Sequence, residues 1–309
     1  MPIAKILSVV VKSAITVSIL YWIISSIELE EVIQEISAIQ LWIIPMIFLV
    51  FLVQMVLTSR RQQVVVIANC GPLFPMQSLR IAWIGAWFGQ LFISFFGSDA
   101  IRVIIFRQIG FKLSSSMLAV LIERLSGLFS HITFVAVTLP FLIPMMNDSY
   151  QIIGVILLVT SLYFVFLVIA FAHRIQSIMP IPIIKKTLSP FSEASRDLGR
   201  NPKLLLSILL LSLIINILNI LIVYLIAIGL KADLSFLDVT ILLPTILLIS
   251  LLPISLAGWG VREGVMVAGF GLVGITVEMS VSISLLFGIF TLISCLPGAL
   301  LWFINTEKR

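Results

Sequence analysis

The stretch 81-IAWIGAWFGQLFISFFGSDAIRVIIFRQIGFK-112 decides how the chain is read. It is apolar enough to enter a bilayer, yet it is broken in its middle by Gly97-Ser98-Asp99-Ala100-Ile101-Arg102. A second stretch, about 239–275, is interrupted in the same way by Gly258-Trp259-Gly260-Val261-Arg262-Glu263. Whether each of these crosses the membrane or turns back inside it sets the orientation of every later segment.

The surrounding composition demands a membrane. Of 309 residues, 61% are hydrophobic and 11% charged, against about 25% charged in an ordinary soluble domain. Such a chain cannot cover itself with polar surface, so lipid must be its solvent. A helix needs about 20 apolar residues to cross the hydrocarbon core. Uninterrupted runs of that size lie at about 4–26, 41–59, 114–140, 150–173, 203–230 and 280–304. The first is read as an uncleaved span, because Lys12 interrupts it and no small-residue cleavage site precedes Glu28–Glu35.

Charge then orients the spans. Basic residues accumulate in cytoplasmic loops. Arg60, Arg61 and Arg80 are taken to mark one such loop, Arg174, Lys185, Lys186, Arg196, Arg200 and Lys203 another, and Lys308 with Arg309 the C-terminus. The segments Glu28–Glu35, around Asp148, and Lys231–Asp238 are acidic or nearly neutral and are placed outside. A single crossing by 81–112 would put Arg107 and Lys112 outside and invert all that follows. A dip from the cytoplasm and back keeps every assignment consistent. The same reasoning makes 239–275 a dip from the outer face.

The expected fold is therefore all-α and integral to the membrane, with six full transmembrane helices and two re-entrant helical hairpins. Both termini are expected in the cytoplasm, in the plasma membrane. Residues 1–140 read span, span, hairpin, span, and 150–305 read the same from the opposite side, so the single domain is an inverted-topology repeat. Many secondary transporters use this plan, with a site near mid-membrane where the repeats meet. The tips share an echo, glycine followed closely by Ile101-Arg102 or Val261-Arg262. Residues 174–203 form a basic cytoplasmic loop, too short for a catalytic domain.

Charges at membrane depth are expensive and usually functional. Arg102 follows the first break and Arg262 lies within the second. A guanidinium is a planar fork of donors that stays charged, which suits a phosphate, and half-helix starts at Gly97, Gly258 and Gly260 would add amide donors. On this reading the two arginines form one phosphate-sized anion site. On the other, they pair with Asp99 and Glu263 and hold the tips together. Glu123 and Arg124 lie in the span that begins near Ser114. They point about 100° apart, so each is expected to meet a separate element, and either complements a tip charge.

Smaller features have plainer readings. Arg107 and Lys112 snorkel to the surface, His131 is a hydrogen-bonded packing residue, and Ser114-Ser115-Ser116 caps a helix. Pro140, Pro144, Pro253 and Pro297 end or kink helices, and Pro253, near the second break, is the one read as functional. No G-x-x-x-x-G-K-[ST], H-E-x-x-H or G-x-S-x-G motif occurs, so neither ATP drive nor hydrolysis has its usual signature. Cys70, Cys295, His131 and His173 do not form a zinc pattern. No metal, no cofactor and no enzymatic activity are expected.

At these same residues the sequence resembles a known family. Gly97-Ser98-Asp99-Ala100-Ile101-Arg102, with Ile122-Glu123-Arg124 about twenty residues on, is similar to the first signature of the lysylphosphatidylglycerol synthase transmembrane-region family. Leu252-Pro253-Ile254-Ser255-Leu256-Ala257-Gly258-Trp259-Gly260-Val261-Arg262-Glu263-Gly264 resembles the second. The chain departs from the pattern at Phe95-Phe96, where members often carry a proline. The resemblance implies a flippase-like membrane domain. In two-domain relatives it carries an aminoacylated phospholipid outward while a separate cytoplasmic domain attaches the amino acid, a domain not expected here.

The expected function is a lipid flippase or scramblase for a phospholipid or a polyprenyl-phosphate-linked lipid. Arg102 and Arg262 would bind phosphate, while Asp99, Glu123, Arg124 and Glu263 balance charge or couple transport to an ion. The expected partner is an anionic membrane lipid and not nucleic acid; a homo-oligomer and a lipid-synthesis enzyme partner are left open. The alternatives are a non-transporting partner of a lipid-modifying or glycosyltransferase enzyme, and a small-solute transporter.

Overall fold

A computed structural model of the protein describes residues 28–91, 97–146, 149–170, 201–251 and 260–306. Among these residues there are ten α-helices and no strand. In chain order they are α1 (Leu29–Ser37), α2 (Ile43–Asn69), α3 (Pro75–Leu91), α4 (Gly97–Gln108), α5 (Leu113–Leu142), α6 (Ser149–Ala170), α7 (Pro202–Gly229), α8 (Phe236–Ser250), α9 (Val261–Gly271) and α10 (Val277–Thr306). A 3₁₀ turn, Ile143–Met145, prolongs α5.

Four helices among the described residues are long and apolar enough to cross a membrane: Ile43–Asn69, Leu113–Met145, Pro202–Gly229 and Val277–Ile304. Ser149–Val165 and Phe236–Ser250 are apolar but shorter. The long helices leave large side chains on their outer faces, among them Leu49 on α2, Phe141 on α5, Leu210 on α7 and Phe303 on α10. In water such a display would be a liability, whereas in lipid it costs nothing. One core joins α2, α5, α7, α8, α9 and α10 around Ile132, Ile222, Leu242 and Phe270. A second joins the C-terminal half of α2 to α3, α4 and α5 around Ile81, Phe106 and Ile122.

Two helix pairs, α4–α5 and α9–α10, follow each other at a constant interval. A shift of 164 residues carries Gly97 onto Val261 and Leu113 onto Val277, the starts of α4 and α5 onto those of α9 and α10. The same shift carries Leu142 onto Thr306, where α5 and α10 end. Local chemistry repeats with it. Phe106 and Phe270 are both fully buried, and their carbonyls accept the N–H of Phe111 at 3.1 Å and of Ile275 at 3.2 Å. Each closure turns on a glycine with positive φ, Gly110 at 104° and Gly274 at 84°. A side chain at those angles would be strained, so glycine ends both helices in the same way. Ser116 and Ser280, both fully buried, donate to the carbonyls of Lys112 and Thr276 at 2.9 and 2.8 Å.

Several expectations are corrected by these elements. The shift carries Arg102 onto Met266 and Ser98 onto Arg262, so the echo between the two arginines is out of register. Gly97–Arg102, read as a break, is the first part of α4. Arg60 and Arg61, read as loop markers, lie inside α2, which runs on to Asn69 because buried Gln62 and Gln63 bond to α3 and the turn before it. Gln62 Nε2 donates to Ser78 Oγ at 3.1 Å and Gln63 Nε2 to the Leu73 carbonyl at 2.7 Å. Ser114-Ser115-Ser116 does not cap α5: Lys112 holds the N-cap position without a side-chain bond. Glu28–Glu35, read as an acidic connection, is largely helix α1. Pro140 and Pro297 lie within α5 and α10, which continue past them, as buried membrane helices allow. The expected span 4–26, Pro253, Gly258 and the loop from 174 to Arg200 lie outside the described residues.

Candidate functional site

Arginines of α2 and α4 converge on Glu123, a residue of α5 that is 4% exposed. From α4, Arg102 Nη1 donates to Glu123 Oε2 at 2.6 Å while its Nη2 donates to Asp99 Oδ1 at 2.9 Å. Asp99 and Arg102 lie three apart on one helix, so a single guanidinium reaches both carboxylates. From α2, Arg61 Nη2 donates to Glu123 Oε1 at 3.4 Å, and its Nη1 donates to Ser212 Oγ of α7 at 2.9 Å. Arg124, next along α5, turns to the other oxygen of Asp99, with Nε to Oδ2 at 2.5 Å.

The surroundings are shaped to hold these side chains. Gln62 donates to Ser78 and presents Oε1 to Arg102 Nη1 at 3.4 Å. A Cβ added at Gly85 of α3 would come within 2.9 Å of the Arg102 stem, and one at Gly127 within 3.3 Å of Arg61 Nη1. Both glycines therefore leave room for a guanidinium. Close by, His131 on α5 meets Asn216 Oδ1 at 3.0 Å and the Pro244 carbonyl at 2.9 Å, tying α5 to α7 and α8.

Arg262 stands in a second cluster. Its Nη2 donates to Glu263 Oε1 at 2.6 Å, its Nε to Ser284 Oγ at 3.1 Å, and its guanidinium lies 5.9 Å from the Phe287 ring centre. Glu263 Oε2 accepts the Gly260 N–H at 2.7 Å and closes the start of α9. Gly260, at φ 82°, is the N-cap, where a side chain would be strained. A Cβ at Gly288 would meet Arg262 Nη2 at 2.6 Å, so this arginine too lies against a glycine.

The described bonds thus sort the expected residues into two clusters. Asp99, Arg102, Glu123 and Arg124 come together, and Arg262 pairs with Glu263. Arg102 does bond to Asp99, and Arg262 to Glu263, as the structural reading required. Glu123 and Arg124, expected to meet separate elements, both reach α4. They do so at Arg102 and Asp99, one turn apart, because that helix runs alongside both. Gly97 opens α4 and Gly260 caps α9.

Arg61 is the residue that sequence reasoning missed. Its neighbour Arg60 and the end of an apolar run made it look like a loop marker. The signal was the resumption of apolar residues at Val64-Val65-Val66-Ile67, which continues a helix through the charge. With Arg61 the first cluster carries three guanidiniums, Arg61, Arg102 and Arg124, against two carboxylates, Asp99 and Glu123, among the described residues. Guanidiniums drawn into an apolar bundle suit an anion, and their donor forks suit a phosphate oxygen set.

The sequence matches the family described as Lysylphosphatidylglycerol synthase TM region over residues 9–298. No curated protein and no solved structure matches it.

Proposed function

The chain belongs to the lysylphosphatidylglycerol synthase TM-region family, a family of multi-pass membrane proteins, and from that premise we propose that it moves a phosphate-bearing lipid between leaflets. The substrate is a phospholipid or a polyprenyl-phosphate-linked lipid. The observation that carries this reading is the cluster around Glu123: three arginines and two carboxylates drawn from α2, α4 and α5 into the interior of an apolar bundle. Insertion of a charge at the bilayer centre costs about 2.5–3.5 kcal/mol, and a fold that needed only packing would fill these positions with apolar groups at lower cost.

In this account Arg102 in the first half and Arg262 in the second contact the phosphate as the headgroup passes, while the acyl chains stay in the bilayer. Asp99, Glu123, Arg124 and Glu263 keep the arginines oriented and the path balanced in charge. No bond is made or broken, so the protein is a translocator and not an enzyme. The topology that serves this is an inverted repeat of six spans and two re-entrant hairpins, with both termini in the cytoplasm and the chain in the plasma membrane. The constant shift between α4–α5 and α9–α10 supports two equivalent halves.

The test is reconstitution. Vesicles holding the wild-type protein and a fluorescent phosphatidylglycerol are expected to lose the label's inner-leaflet protection from dithionite faster than protein-free vesicles. Equal rates for phosphatidylglycerol and for polyprenyl-phosphate probes, with and without protein, would overturn the reading.

A further inference from the structure

We infer that Glu123 is an internal competitor for the lipid phosphate, seated between Arg61 and Arg102, and that these two arginines are the anion site of the first half. The inference rests on the lipid-transport reading and adds to it a residue, Arg61, and a mode of regulation.

Two guanidiniums from different helices grip one carboxylate, Arg102 on Glu123 Oε2 and Arg61 on Glu123 Oε1. That is how a pair of arginines takes a phosphate, one oxygen to each fork. The donors are not exhausted by it. Arg61 Nε and Arg102 Nε are both buried and have no hydrogen-bond partner among the described residues. Buried donors left unpaired are costly, and the two guanidiniums that grip this carboxylate each keep one, spare capacity for an acceptor richer in oxygens.

The architecture does not itself call for an acid at this position. The shift of 164 residues carries Glu123 onto Phe287 in α10. Phe287 faces Arg262 as an aromatic ring, and the helix there is as long as α5. A carboxylate at 123 is therefore a local choice, and it places a negative charge where the lipid's negative charge would go. With no lipid present, Glu123 neutralises the arginines and keeps α2, α4 and α5 together. An arriving phosphate must displace it, so Glu123 sets the affinity of the site and lets the headgroup go again.

The experiment is the affinity of the detergent-purified full chain for dioctanoyl-phosphatidylglycerol, measured by titration calorimetry, with dioctanoylglycerol as the uncharged probe. Glu123→Gln is expected to bind the phosphate lipid about tenfold more tightly, the effect of removing one charged rival. Arg61→Ala is expected to bind it about tenfold more weakly. Glu30→Gln, which removes an exposed carboxylate on α1, changes net charge equally and is expected to leave affinity unchanged.

Equal or weaker binding by folded Glu123→Gln, or the same gain in Glu30→Gln, would overturn the inference. If Glu123→Gln does not fold, Glu123→Asp keeps the charge but draws it back by one methylene. It should then tighten binding by a smaller factor, and unchanged or weaker binding would again be contrary. Wild-type binding that falls in Arg102→Ala without any gain at position 123 would reject this inference alone. Absence of binding in the wild type and every variant would sink the phosphate reading of the site with it.

Discussion

Asp99 and Glu263 occupy the same place on α4 and α9, each seven residues before the fully buried phenylalanine, Phe106 or Phe270, that closes its helix. They use that place differently. Asp99 bridges Arg102 on its own helix and Arg124 on α5. Glu263 holds its neighbour Arg262, receives Ser284, and caps α9 through the Gly260 N–H.

From this difference Glu263→Ala should be the more damaging change. It breaks the Arg262 pair, removes the acceptor of the Ser284 hydroxyl and takes the cap from α9. A loss of about 3–5 kcal/mol is expected for breaking a buried pair. Asp99→Ala should cost less, because Arg102 retains Glu123. Thermal unfolding of both variants in detergent checks the order.

Helix packing supplies a second test. A Cβ at Gly298 of α10 would stand 2.2 Å from the Trp83 carbonyl oxygen of α3, whereas one at Gly154 of α6 meets nothing within 4 Å. A backbone atom cannot step aside as a side chain can, so Gly298→Ala should force α3 and α10 apart, destabilising by about 1–3 kcal/mol. Gly154→Ala should change the melting temperature little. Equal effects would show that the α3–α10 contact is looser than described.

The membrane class and most of the buried charges were legible in the sequence, because a charge inside an apolar run has few benign explanations. Asp99, Arg102, Glu123 and Arg124 stood out for that reason. Arg61 did not, since an arginine pair at the edge of a run is normally a loop marker, and its burial becomes tolerable through Glu123 and Ser212 on other helices. The register of the repeat was also misread. The eye pairs Arg102 with Arg262, whereas helix closure pairs Phe106 with Phe270 and Gly110 with Gly274. Those phenylalanine–glycine spacings were in the chain, but their meaning depends on φ values that a sequence does not display.

The contact between α1 and α10 makes stability depend on pH. On α1, Glu35 accepts the Ser282 hydroxyl at 2.7 Å. Its carboxyl is held above the ordinary value of 4.5, chiefly by burial and further by the charges of Glu278 and Glu31, against the pull of the Ser282 bond. A raised folded value means that the protonated form is favoured in the fold. The stability so gained is complete below the ordinary value and is lost as pH rises through the raised one. Glu35→Gln should therefore be more heat-stable than the wild type at pH 7, with the gap closing towards pH 4.5. A gap that widened on acidification would contradict the assignment.

Lys231 offers a gain. It has φ 57°, just past the end of α7, while the Ala232 N–H donates to the Ala227 carbonyl at 2.9 Å. This is the helix closure that glycine fills after α4 and α9. Lys231→Gly should relieve the left-handed strain and raise stability by about 1 kcal/mol, read as a higher melting temperature.

The central claim is that buried arginines carry a lipid phosphate across the membrane. The most direct measurement is the dithionite-protection rate of fluorescent phosphatidylglycerol in vesicles holding equal amounts of folded wild type, Arg102→Ala, Arg262→Ala or Gly154→Ala. Fast exchange in the wild type and Gly154→Ala, reduced about tenfold or more in both arginine variants, is the expected result. Exchange in Arg102→Ala and Arg262→Ala as fast as in the wild type would contradict it.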